Sequence, residues 1–279
     1  MNSLLKRFAN IPSWVVYILL LLTIAIPLVK PLGLPMAISK ETQMAYDYIS
    51  KLEAGSRVLI SFDYSLSYKP EMGAEATVIL QHLLDVGAKV YAIGCTEEGP
   101  MLAREVLQLV YGDAGKVYGE DYVLLGFFPG GESGLAALLE NLRAVFPNEF
   151  GGRPVDELPM MAGVNSIADL TLCISVNGGS TASTIHWVRQ VNTAYQRPLI
   201  MGVSTVMGPT DIAYLHAGQL VGFLSGSRSA AEYELLLKRP GPAVAALDAQ
   251  SISHVLILIL ILLGNVAYFL TRGERGGKA

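Results

Sequence analysis

Asp63 closes an apolar, β-branched run, RVLISFD (57–63), that reads as a strand. A carboxylate at a strand end can ligate, trade protons or accept hydrogen bonds from its own loop. NGGSTAST (177–184) offers Gly178, Gly179, Ser180 and Thr181 just ahead of a predicted helix. Free N–H groups and hydroxyls at a helix start can hold an anion. The competing reading is that Ser180 or Thr181 caps the helix while the glycines make a tight turn. Ser204 opens a third such loop, STVMGPTD (204–211). Glu97, Glu98 and Glu132 lie in further strand-end loops, where with Asp63 they would form a mouth suited to a cation. Hydrolysis would require Asp63, His186 or a hydroxyl of Asn177–Thr184 to meet in space.

No fingerprint fixes a reaction. G-x-x-x-x-G-K-[ST], G-x-G-x-x-G and G-x-S-x-G are all absent, so no nucleotide cofactor is implied. The four histidines (His82, His186, His216, His254) show no ligand spacing, and no metal site is expected. Cys95 and Cys173 are the only cysteines. Cys173 sits inside the apolar run LTLCISV, where a buried free thiol is the default.

The elements that would position these residues alternate regularly. Strands are predicted at 57–63, 89–94, 122–127, 169–176, 198–203 and 220–224. Helices are predicted at 40–52, 71–85, 100–111, 134–145, 181–195, 210–216 and 229–237. Ser39 opens the first helix and Gly55 ends it. Near-continuous apolar strands alternating with amphipathic helices predict an α/β, mainly parallel, doubly wound (Rossmann-like) sheet over residues 37–245. Segment 147–167, rich in Gly, Pro and Asn, breaks the rhythm and reads as a surface loop or small insert. Segment 243–249 reads as a linker or short helix.

An apolar run flanks this domain on each side. WVVYILLLLTIAIPLV (14–29) reaches membrane-spanning length with its neighbours, giving a predicted span over 14–34. Pro27 is expected to kink or end its last turn. VLILILILLGNVAYFL (255–270) lies within a second predicted span, 251–271, with Ser251 and Ser253 as caps. VKPLGLPMAIS is a poor cleavage site, so the first run reads as an anchor rather than a signal peptide. Both tails, 1–13 and 272–279, are basic, which favours cytoplasmic ends and an extracytoplasmic domain.

Residues 30–250 hold 15 of the 20 Lys/Arg and 23 of the 24 Asp/Glu, close to −8. That balance excludes nucleic acid as a partner. Neither apolar run carries a central charge, which argues against an ion path through the chain alone.

One span, a helix, an α/β domain opening on an apolar strand, and a closing span resemble the auxiliary membrane subunits of gliding-motility-type ABC transporters. The soluble part of those subunits is similar to the N-terminal domain of an intraflagellar-transport protein. ISKETQMAYDYISKL leading into RVLISFDYS carries the likeness. The long coiled or β-rich second half common in such subunits has no counterpart here, and no functional residue is carried over. VYGEDYVLLGFFPGGES and GQLVGFLSGSRSAAEYE also resemble a family of two-span prokaryotic membrane proteins, which supplies no activity. The expected role is a structural or accessory subunit, homo-oligomeric or partnered with other membrane proteins and possibly transporter-associated. One alternative is a membrane-tethered small-ligand-binding or sensory domain with a polar pocket near Asp63, Ser180 and Ser204. The other is a tethered hydrolase or transferase.

Overall fold

The computed structural model describes residues 12–179 and 183–275. In chain order the elements are α1 (Ser13–Val29), α2 (Lys40–Ile49), β1 (Arg57–Asp63), α3 (Lys69–Asp85), β2 (Lys89–Gly94), α4 (Gly99–Leu107), β3 (Tyr122–Phe127), α5 (Gly131–Glu140), α6 (Leu142–Val145), β4 (Leu172–Asn177), α7 (Thr184–Trp187), β5 (Leu199–Val203), α8 (Gly208–His216), β6 (Gly222–Ser225), α9 (Gly226–Leu236) and α10 (Pro242–Arg275). They fall into two units, one from Met36 to Arg239 and one from the described parts of Met1–Pro35 and Pro240–Ala279.

In the first unit six parallel strands run in the order β3-β2-β1-β4-β5-β6. The order reverses between β1 and β4, so the doubly wound expectation holds. Side chains alternate between two apolar layers with the strand period of two. Leu59, Tyr91, Val123, Cys173, Met201 and Phe223 face one layer, which α5 and Trp187 of α7 cover. Ile60, Val90, Leu124, Ile174, Ile200 and Leu224 face the other, which α2, α3, α4 and α9 cover. Burial on both faces explains why the strands read as unbroken apolar runs rather than as alternations.

β3 is an edge strand, and its free side is blunted. The Tyr118 hydroxyl bonds both the N–H and the carbonyl of Leu124, at 3.3 Å each. Phe150 N–H also donates to the Leu124 carbonyl at 2.9 Å. Phe150 belongs to segment 147–167, and of its two readings, surface loop or small insert, the surface loop is corrected. Segment 147–167 folds as short 3₁₀ turns whose Val155, Leu158, Met160, Met161, Val164 and Ile167 are core residues.

Helix boundaries shift where polar side chains compete with the backbone. Asn141 splits the predicted 134–145 helix by adopting an extended conformation and accepting a hydrogen bond from Ala144 N–H. Ser39 caps α2 as expected, accepting from Thr42 N–H at 3.4 Å, although the helix ends at Ile49, before Gly55. Both cysteines are buried, and no disulfide joins them.

In the second unit α1 packs on α10, and the Thr23 and Ser253 hydroxyls lie 3.3 Å apart. α1 is a 17-residue helix, about 26 Å at 1.5 Å per residue, short of the predicted 14–34 span. It runs two residues past Pro27. α10 is one continuous 34-residue helix. Pro242 starts it, because proline suits the first helical turn, and Ala243–Ala249 continues it as helix, not linker. Ser251 and Ser253 are therefore interior residues rather than caps. Among the described residues one stretch, Pro242–Val266, is long and apolar enough to cross a membrane.

Candidate functional site

The strand-order reversal brings the ends of β1 and β4 side by side, with Asp63 paired to Asn177. β5 follows, pairing Asn177 with Val203. Asp63, Gly178, Gly179 and Ser204 thus gather at one end of the sheet, as the sequence reading requires. Ser180 and Thr181 lie outside the described residues. The gathering is one of backbone more than of side chains. Gly178 N–H donates to the Asp63 carbonyl at 3.1 Å, and Ser204 N–H to the Asn177 carbonyl at 3.3 Å.

The Asp63 side chain turns away from the crevice into the core and is fully buried. One carboxylate oxygen accepts from the Ser61 hydroxyl and from Cys95 N–H at 3.1 Å. The other accepts from the Ser175 hydroxyl at 2.7 Å and the Trp187 indole N–H at 2.9 Å. Burial pushes its pKa up, and the hydrogen bonds from Ser61, Cys95 and Ser175 oppose that. The carboxylate staples β1, β4, the loop after β2 and α7, and it has no face left for a ligand.

The two glycines serve geometry. A Cβ on Gly178 would lie 2.8 Å from the Tyr68 ring and 2.9 Å from the Tyr64 Cβ, so only glycine lets these loops approach. Gly179 has φ +98° and donates its N–H to the Asn177 side chain at 2.8 Å. Ser204 is buried, and its carbonyl receives Met207 and Gly208 N–H at 2.9 and 3.1 Å. Thr184, the last residue of NGGSTAST, donates to buried Asp211 at 2.5 Å.

The acidic mouth does not assemble. Glu98 accepts from Leu66 N–H, and Glu132 faces α7, 3.6 Å from His186 Nε2 and 3.6 Å from Arg189. Among the described residues no group of three potential metal ligands converges. His186 does meet one partner of the hydrolytic reading, since its Nδ1 lies 3.4 Å from the Ser183 hydroxyl. Asp63 takes no part in that line. His82, by contrast, is structural. It bonds the Tyr233 hydroxyl at 2.7 Å, and burial holds its pKa down at about 4.

No family model matches the chain, and no curated protein matches it. Among solved structures it is similar to the crystal structure of AibC, at 12% identity and a TM-score of 0.31. The match covers 88% of this chain and 55% of that one, so the chain spans about half the length of that protein. The fold assignment rests instead on the strand order and the two covered faces.

Three features of the site match no motif in the sequence. Ser61 and Ser175 are in register, as are Asp63 and Asn177, so β1 and β4 end on the same pattern, Ile-Ser-x-Asp/Asn. That repeat was a legible sign of a shared hydrogen-bond network. Trp187 was unremarkable as a helix residue and is the fourth donor. Glu75 on α3 is fully buried, with neither carboxyl oxygen in a hydrogen bond. Burial drives its pKa well up and Glu71 adds to it, while the nearby Gly226 N–H opposes them without reaching full hydrogen-bond geometry.

Glu75 gives a pH prediction. A carboxyl whose folded pKa exceeds its unfolded value, near 4.5, holds its proton more tightly when folded. Its contribution is fully present below that value and is lost as pH rises toward the folded one. Wild type is therefore expected to lose stability relative to Glu75→Gln by about 1.4 kcal/mol per pH unit within that window. Urea midpoints of the full chain across the pH series check this. Parallel pH profiles for the two proteins would refute a raised Glu75 pKa.

Proposed function

We propose that the chain is a membrane-anchored accessory or structural subunit of a membrane protein complex. The observation that carries this reading is the outer surface of the α1–α10 unit. Trp14, Tyr17, Leu21, Leu262 and Phe269 are each at least 62% exposed. An exposed apolar surface of this extent is costly in water and is matched by lipid or by other membrane helices. In the proposal both helices span the bilayer, the residues flanking the short α1 complete its crossing, and both termini are cytoplasmic. The α/β unit then stands outside the cytoplasm. The sequestered Asp63 supports a non-catalytic role, because the acid at the strand-order reversal is committed to holding the fold. The resemblance in layout favours a transport complex as the setting.

Extraction from native membrane in mild detergent, followed by mass measurement and identification of co-purifying chains, tests the subunit role. A discrete assembly larger than one chain is expected. A lone monomer would remove the proposal. Protease added to sealed right-side-out spheroplasts tests the topology, and the α/β unit should be digested there but protected in inverted vesicles.

The Ser183–His186–Glu132 line favours a second reading, a tethered hydrolase at the strand ends. Both spacings exceed the roughly 2.6–3.2 Å of a working nucleophile–base pair. A serine-reactive fluorophosphonate should label the native chain and spare Ser183→Ala if this reading is right. Equal labelling of the two would end it.

A further inference from the structure

A cleft of about 510 Å³ opens beside the edge strand β3, between α4 with its continuation and the 147–167 insert. We propose that this cleft binds a small organic anion, a carboxylate or phosphate carried on an aromatic or apolar body, with Arg104 and Arg153 gripping the charged end. The site is distinct from the strand ends considered above and does not depend on the accessory-subunit reading.

The floor is apolar and aromatic. Leu107, Leu124, Tyr118, Tyr122 and Phe150 line it. Tyr118 and Tyr122 meet edge to face, centroids 5.3 Å apart at 90°, which fixes both rings. The Tyr122 hydroxyl has no hydrogen-bond partner among the described residues, which leaves it available to a ligand.

The rim is cationic. Arg104 comes from α4 and Arg153 from the insert, and neither forms an ion pair among the described residues. Arginine forks suit the two oxygens of a carboxylate or phosphate. The one acid in the lining, Glu149, is already occupied. It is buried and accepts from the Tyr118 hydroxyl at 2.5 Å, Gly151 N–H at 2.8 Å and Arg153 N–H at 2.9 Å. Burial alone would raise its pKa, but those donors, helped by the charge of the Arg153 guanidinium, outweigh it and hold the carboxyl below its ordinary range. Glu149 thus shapes the insert against β3 without forming a close ion pair with either guanidinium.

The wall is shaped by an irregularity. α4 passes into a π-helical turn, Gln108–Gly112, a feature that frequently marks functional sites. There the Gln108 side chain folds over Gly112, where a Cβ would collide with it. The volume falls in the 300–1,000 Å³ range of small-molecule sites, and the lining has the expected mix of apolar floor and few polar groups.

Isothermal titration of 1-naphthyl phosphate into the full chain in detergent tests the proposal. Inorganic phosphate and 1-naphthol are titrated separately. Saturable one-site binding of the naphthyl phosphate is expected, with Arg104→Gln and Arg153→Gln each weakening it about tenfold or more. Both arginines are exposed, so the thermal transition of each variant should match wild type. Tyr122→Phe should weaken binding without weakening the fold. Absence of saturable binding would overturn the proposal, as would equal affinity in the Arg104→Gln/Arg153→Gln double variant. Inorganic phosphate binding as tightly as the naphthyl ester would overturn the organic-anion class.

Discussion

Asp63→Ala is expected to cost the α/β unit about 3–5 kcal/mol, the scale for breaking a buried charged network. That is a large share of the roughly 5–15 kcal/mol that stabilises a domain. Alanine would strand four donors, from Ser61, Cys95, Ser175 and Trp187, in a site without water access. Asp63→Asn separates the structural role from a ligand role. Each carboxylate oxygen accepts from one donor that cannot reverse, Cys95 N–H on one side and the Trp187 indole N–H on the other. Whichever way the amide is placed, its NH₂ meets an N–H. Asparagine should therefore be nearly as damaging as alanine. Ser61→Ala and Ser175→Ala each remove one donor and should cost about 1 kcal/mol. Urea unfolding of the full chain, followed by Trp187 fluorescence, orders these variants. An Asp63→Asn midpoint equal to wild type would show that the carboxylate is not the staple described.

The same residues show how far the sequence can be read. Strands β1, β2 and β3 have the predicted ends because each is a short, doubly buried apolar run bounded by turn residues. Asp63 was identifiable as the informative acid, but not its direction. Its alternation parity with Leu59 points it at the layer that Trp187 covers, and only the packing of α7 supplies that partner. Parity does reveal, after the fact, that Ser61 and Asp63 share a face.

Elsewhere the local signal and the fold disagree. The 147–167 insert has no period for a strand or helix, so its six core residues could not be distinguished from a loop. Arg104 and Arg153 are far apart in sequence and meet at the cleft only because the insert returns to the β3 edge. Along α10, Ser251 looks like a cap because serine is favoured at helix starts, yet the alanine-rich stretch before it has high helix propensity and carries the helix through.

That continuation places Asp248 where it has a function. Asp248 is buried on α10 and accepts N–H groups from Leu32 and Gly33 at 2.8 Å each and from Leu34 at 3.1 Å. These amides lie just beyond the end of α1, where the chain has left the helix and needs acceptors for its N–H groups. One carboxylate therefore ties the exit of the first apolar helix to the side of the second. Asp248→Ala would strand all three donors, and a loss of about 3 kcal/mol in helix pairing is expected. Asp248→Asn should lose less. Its amide oxygen can still accept from the Leu32 and Gly33 pair, which share one oxygen, leaving the Leu34 contact broken. The readout is a disulfide between Thr23→Cys and Ser253→Cys, whose native hydroxyls lie 3.3 Å apart. Oxidation should cross-link the pair rapidly with Asp248 present, more slowly with asparagine and slowest with alanine. The Trp187-reported unfolding of the α/β unit should not move in either variant. Equal cross-linking in all three backgrounds would mean that apolar packing alone holds α1 to α10. In that case Asp248 serves only the local turn at Leu32–Leu34, and the two helices need no polar clasp to stay paired.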